Sequence, residues 1–69
     1  MHQIKLRDEY IKLGQALKAA GIVDTGVDAK NEILDGNVKV NGAVEVQRGK
    51  KLRDGDLVEF NGEQIKIEK

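Results

Sequence analysis

Apolar positions recur along the 69-residue chain with two different periods, and each period marks a kind of element. Ile4 and Leu6 alternate with Lys5 and Arg7, which predicts a short opening strand. From Lys12 to Ala20, Leu13, Ala16, Leu17 and Ala20 stand at i, i+3, i+4 and i+7, one face of a helix, and Gly21 supplies its stop. Thr25-Gly26-Val27-Asp28 reads as a capping box of the acidic kind, with the Thr25 hydroxyl accepting from an otherwise unpaired amide of a second helix. That helix runs to about Asp35, before Gly36. Ala29 and Ile33, four apart and helped by Leu34, face one way, and Lys30 lies on a neighbouring, more exposed face.

Val38, Val40, Val44 and Val46 surround Asn41-Gly42, a strong hairpin signal. Two registers compete. A two-residue turn pairs Val40 with Ala43 and Lys39 with Val44, which sets the two pairs of valines on opposite faces. A three-residue loop, 41–43, pairs Val40 with Val44, Val38 with Val46 and Lys39 with Glu45. The second is preferred here because it buries four valines together and matches opposite charges across the strands. Leu57-Val58-Glu59-Phe60 and Ile65-Lys66-Ile67 read as two further strands joined through Asn61-Gly62, with Asp54-Gly55-Asp56 as the turn before them. The predicted order is a short strand, two helices and about four strands. It defines an α+β fold in which two helices pack on a small four- to five-stranded, mostly antiparallel sheet.

Length and composition place this pattern in a single domain, 1–69, that is expected to fold alone as a monomer. No cysteine is present, so no disulfide or thiolate metal site reinforces the core. The first ten residues lack the apolar segment of a signal peptide, and no apolar run approaches a membrane span, so a soluble cytoplasmic protein is the expectation.

The inventory excludes most chemistry. Cysteine and serine are absent, the one threonine reads as a helix cap and the one histidine is His2, so a nucleophile and its base are missing together and no catalytic residue is assigned. Asp54 and Asp56 flank a glycine in a turn, where carboxylates commonly serve turn geometry. Gly49-Lys50-Lys51 fails as a phosphate loop, since Val44 stands where an earlier glycine is needed and Lys51 where Ser or Thr is needed. No metal ligand set and no cofactor is expected.

Net charge is zero, but the charges are unevenly placed. Residues 30–53 hold six cations against Glu32, Asp35 and Glu45, whereas residues 54–69 hold five acids against Lys66 and Lys69. Arg48, Lys50, Lys51 and Arg53 leave the hairpin in one loop-like segment from which several cations reach outward together, as a phosphate backbone requires. Tyr10 and Phe60 are too few for an aromatic stacking platform, and Phe60 reads as core, so recognition is expected to rest on shape and phosphates.

The order Gly21, Thr25, Ala29-Lys30, Ile33, Gly36, Val38, Val40-Asn41-Gly42, Gly55-Asp56 resembles the S4 RNA-binding motif. That pattern has a glycine after the first helix, Ser or Thr opening the second, an Ala-Arg/Lys pair, Ile, then Gly-x-Val-x-Val-Asn-Gly and a later Gly-Asp. Within the family the chain looks most like the small stand-alone bacterial proteins of YaaA/YbcJ type. The resemblance implies an S4-like, αL-motif fold and RNA contacts on the two helices and the adjacent hairpin. Carried onto this sequence, it implicates Lys12, Thr25, Lys30, Lys39, Asn41, Arg48, Lys50 and Lys51, and charge adds Arg53. Lys12-Leu13-Gly14 and Thr25-Gly26 stand where many members have Arg-Leu-Asp and Ser-Arg, so two guanidinium groups are missing. Thr25 also keeps a capping role and Asn41 a turn role. The function expected is non-catalytic binding of structured RNA, ribosomal or transfer, with a protein-docking module on a ribosomal or replication partner as the alternative.

Overall fold

The computed structural model describes residues 2–69. Strand β1 (His2–Lys5) is followed by a two-residue strand β2 (Ile11–Lys12), helix α1 (Leu13–Ala19) and helix α2 (Gly26–Leu34). Strands β3 (Val38–Val40), β4 (Ala43–Val44), β5 (Lys51–Leu52), β6 (Leu57–Phe60) and β7 (Glu63–Glu68) complete the chain. β1, β7, β6, β3 and β4 form one sheet in that order, and β2 pairs with β5 in a separate ribbon. Only β1 and β7 run parallel in the larger sheet; its other pairs are antiparallel. The fold is the expected α+β arrangement of two helices with a five-stranded, mostly antiparallel sheet.

Both helices begin and end where their local chemistry dictates. The Gln15 Oε1 accepts from the Lys12 amide at 3.3 Å at the start of α1, and the Thr25 hydroxyl accepts from the Asp28 amide at 3.1 Å at the start of α2. Gly21 and Gly36 follow the helix ends with φ of 75° and 80°, the left-handed conformation that terminates a helix without a Cβ penalty. Leu13, Ala16 and Leu17 of α1 and Ala29 and Ile33 of α2 are buried against Val38, Val40, Val58, Phe60, Ile65 and Ile67 of the sheet. Each large side chain among these contributes about 1.5–3 kcal/mol by leaving water.

Three expectations are corrected. The β3–β4 hairpin has the two-residue turn, with Val40 opposite Ala43 and Lys39 opposite Val44. Asn41 and Gly42 take φ of 52° and 85°, the pair of left-handed residues that a type I′ turn requires and a longer loop does not. Val38 and Val40 are therefore core, while Val44 and Val46 are exposed, and Lys39 faces Glu59 of β6 rather than Glu45. Leu34, expected on the inner face of α2, is exposed. Finally, 48–53 is not wholly loop: Lys51 and Leu52 form β5, whose Leu52 side chain is fully buried.

Candidate RNA interface

Strand β5 determines where the basic segment lies. Leu52 anchors it in the core beside the partly buried Ile11 of β2, and the antiparallel register sets Lys51 directly opposite Lys12. Side chains alternate across a strand, so with Leu52 inward, Lys51 and Arg53 project from the outer side of the ribbon together with Lys12. Just upstream, the carbonyls of Lys50 and Arg48 accept from the amides of Leu13 and Gly14 at 2.8 and 3.1 Å. Two of the first amides of α1 are thereby satisfied by the basic segment itself. Those two amides are therefore not free to meet an anion.

Against the helices this segment forms a cleft of about 380 Å³ lined by Lys12, Gly14, Gln15, Lys18, Gly26, Arg48 and Gly49. Gly14 is needed for its shape: a Cβ at that position would lie 2.7 Å from Arg48 Cγ, so the Arg48 stem rests directly on the helix backbone. Gly26 and Gly49 leave their sides of the cleft open, with nothing within 4 Å of an added Cβ. Lys30 stands one turn along α2 from Gly26, on the same side of that helix. Lys18, not singled out from the sequence, lies one turn beyond Gly14 and joins Lys12 and Arg48; its helical spacing from residue 14 is the signal that placed it there.

Two ion pairs and a His2–Glu63 contact are formed among the described residues, and they involve Lys66 with Glu68 and Lys69 with Glu9. Lys12, Lys18, Lys30, Arg48, Lys50, Lys51 and Arg53 have no carboxylate within 4.0 Å among those residues. Lysines directly opposite each other across two strands are destabilising by their mutual repulsion, so Lys12 and Lys51 concentrate positive charge at a cost in fold stability.

Lys39 and Asn41 are not part of this group. Lys39 is on the solvent side of the larger sheet, between Val44 and Glu59. Both polar atoms of the Asn41 side chain are engaged: its Nδ2 donates to Asp56 Oδ1 at 3.0 Å and its Oδ1 accepts from the Leu57 amide at 2.9 Å. Asp56 in turn accepts from the Arg53 amide at 2.8 Å. The Val-Asn-Gly and Gly-Asp portions of the sequence pattern therefore meet in space, and their role seen here is to lock the hairpin to the turn that follows β5. Thr25, likewise, is occupied as the cap of α2.

A two-helix unit laid on a small sheet, with a bare cationic ribbon and cleft at the start of α1, defines a small α+β module suited to polyanions. The family model of the S4 domain matches residues 4–68, and the chain belongs to that family. It is 36% identical over 58 residues to the "Putative RNA-binding protein YbcJ" of Escherichia coli strain K12, covering 84% of this chain and 83% of that one. It is 41% identical over 59 residues to the "Probable ribosome maturation protein RlbA" of Bacillus subtilis strain 168, covering 86% and 83%. The solution structure of E. coli YbcJ, reported with an αL motif involved in RNA binding, superposes with a TM-score of 0.77 at 33% identity, over 100% of this chain and 89% of that one.

Proposed function

We propose that this chain binds structured RNA, ribosomal or transfer, through phosphate and shape contacts and without catalysing a reaction. The observation that carries the reading is the Lys12–Lys51 cross-strand pair flanked by Arg48, Lys50 and Arg53, none of them neutralised by a carboxylate among the described residues. Such a surface gains by releasing counterions from a nucleic-acid backbone. Lys12, Lys30, Arg48, Lys50, Lys51 and Arg53 are the contacts proposed, with Lys18 added; Thr25, Lys39 and Asn41 support the fold or lie apart from the cluster. The relative described as a ribosome maturation protein favours ribosomal RNA as the first substrate to test.

The test is a titration of ribosomal RNA fragments and transfer RNA, by fluorescence anisotropy, between about 50 and 200 mM salt. Binding is expected to weaken steeply with salt, and the Lys50→Ala/Lys51→Ala variant to weaken it for every RNA and to flatten the slope by about one to two units. A folded double variant with unchanged affinity would sink the reading.

The exposed side chains of Val27, Leu34, Val44 and Val46 favour a second reading, docking on a protein partner. Capture from lysate with and without nuclease separates the two. Partners that survive nuclease support docking, whereas RNA that co-purifies supports the first reading.

A further inference from the structure

Tyr10 stands just before β2 and is exposed at 36%. Continuing the β2–β5 register by one residue sets it opposite Arg53 on the outer side of the ribbon. There Lys51 Nζ lies 4.9 Å and Arg53 Cζ 5.6 Å from the ring centroid. An aromatic face in this range attracts the two cations, which holds both the ring and its neighbours in place. Beside the ring is a cleft of about 460 Å³ whose lining includes Ile4, Lys5, Arg7, Tyr10, Ile11 and Gln15. Its size falls in the range of about 300–1,000 Å³ typical of small-molecule sites. Ile4 and Ile11 are half-buried and give it an apolar wall, while the exposed charges of its lining are the cations Lys5 and Arg7 and one carboxylate, Asp8.

Gln15 gives the cleft a polar point. Its Oε1 is used by the Lys12 amide, and among the described residues its side-chain NH₂ donates to no partner. An aromatic ring, an apolar wall, an unspent donor and cations at the margin are the requirements for holding a planar, hydrogen-bonding heterocycle attached to a phosphate.

We propose that the Tyr10 cleft receives one unpaired nucleobase of the bound RNA, stacked on the tyrosine and offered a donor by Gln15, while Lys51 and Arg53 hold the adjoining phosphates. This rests on the RNA-binding reading and deepens it: the preferred RNA is structured but carries a bulged or looped nucleotide beside a helical stem. A fully paired stem keeps its bases in the stack and offers the tyrosine nothing.

The experiment compares two hairpin RNAs with the same stem, one carrying a single-adenosine bulge and one fully paired. Tyr10 is the only tyrosine and the chain has no tryptophan, so its emission reports the site directly. The bulged hairpin is expected to quench tyrosine emission and to bind about ten-fold more tightly than the paired one, near the lower end of what stacking one base contributes. Tyr10→Leu, which keeps apolar volume without a ring, is expected to remove that preference, and Tyr10→Phe to retain it, with circular dichroism confirming that both fold. Equal binding of the two hairpins, or an equal loss on both with Tyr10→Leu, overturns the base site alone. Failure of the wild-type protein to bind either hairpin at low salt overturns the RNA reading and the base site with it.

Discussion

Asn41 and Asn61 adopt nearly the same backbone conformation, φ of 52° and 48°, each followed by a left-handed glycine in a two-residue hairpin turn. They differ in what their side chains do. Asn41 makes two hydrogen bonds, to Asp56 and to the Leu57 amide, while Asn61 makes no side-chain hydrogen bond among the described residues. Asn61→Ala is expected to cost only the left-handed strain of an alanine, about 1 kcal/mol. Asn41→Ala adds the loss of two hydrogen bonds at about 1 kcal/mol each and should cost about 3 kcal/mol in urea denaturation. Equal losses at the two sites would show that the Asn41–Asp56 link contributes nothing. Gly14 poses a different question. Gly14→Ala raises helix propensity by about 1 kcal/mol but drives a Cβ into the Arg48 stem. The expected outcome is a fold of roughly unchanged stability in which Arg48 has left the cleft and RNA affinity falls to that of Arg48→Ala, read by anisotropy on both variants.

The elements that sequence reveals well are those whose local chemistry and tertiary role agree. Both helices end before a left-handed glycine and carry an apolar face at helical spacing, and α2 has the Thr25 cap besides, so their extents were legible almost to the residue. Strands β2 and β5 were not legible, because two residues establish no alternation; the only trace of β5 is a lone Leu52 among Lys50, Lys51, Arg53 and Asp54. The hairpin was misread for a different reason. Gathering four valines and pairing Lys39 with Glu45 gave weight to side chains, whereas the left-handed preference of Asn41-Gly42 fixes the register through the backbone. The same limits governed the site: the cations could be named from charge, but their division between a ribbon, a cleft and an unrelated sheet face depends on β5. Leu52→Ala tests that dependence. Its fully buried side chain predicts a loss of about 2–5 kcal/mol, with amide exchange at Lys51 and Leu52 accelerating beyond the global change as the ribbon detaches.

At the scale of the whole molecule, the zero net charge looks ill-suited to a polyanion partner, and the fold resolves this by segregation. The acidic residues 54–69 are not a free tail: they form the turn, β6 and β7, and four of their five carboxylates are occupied, Glu68 by Lys66, Glu63 by His2, Asp54 by the backbone amide of Lys69 and Asp56 by the Asn41 side chain and the Arg53 amide. The cations of the ribbon and cleft have no such partners among the described residues. Salt screens exposed charges beyond about 8–10 Å, so an approaching phosphate responds to the nearest few groups rather than to the sum over the chain. Two double variants with the same change in net charge separate these possibilities. Lys66→Ala/Lys69→Ala removes two cations that already face carboxylates, at 3.7 and 3.3 Å, outside the basic cluster. Lys50→Ala/Lys51→Ala removes two that face none. If local charge governs binding, only the second flattens the dependence of log affinity on log salt by about one to two units, and the first leaves affinity within about two-fold. If the two variants lose affinity equally across the salt series, long-range net charge governs the interaction, and the ribbon and cleft lose their claim to be the interface.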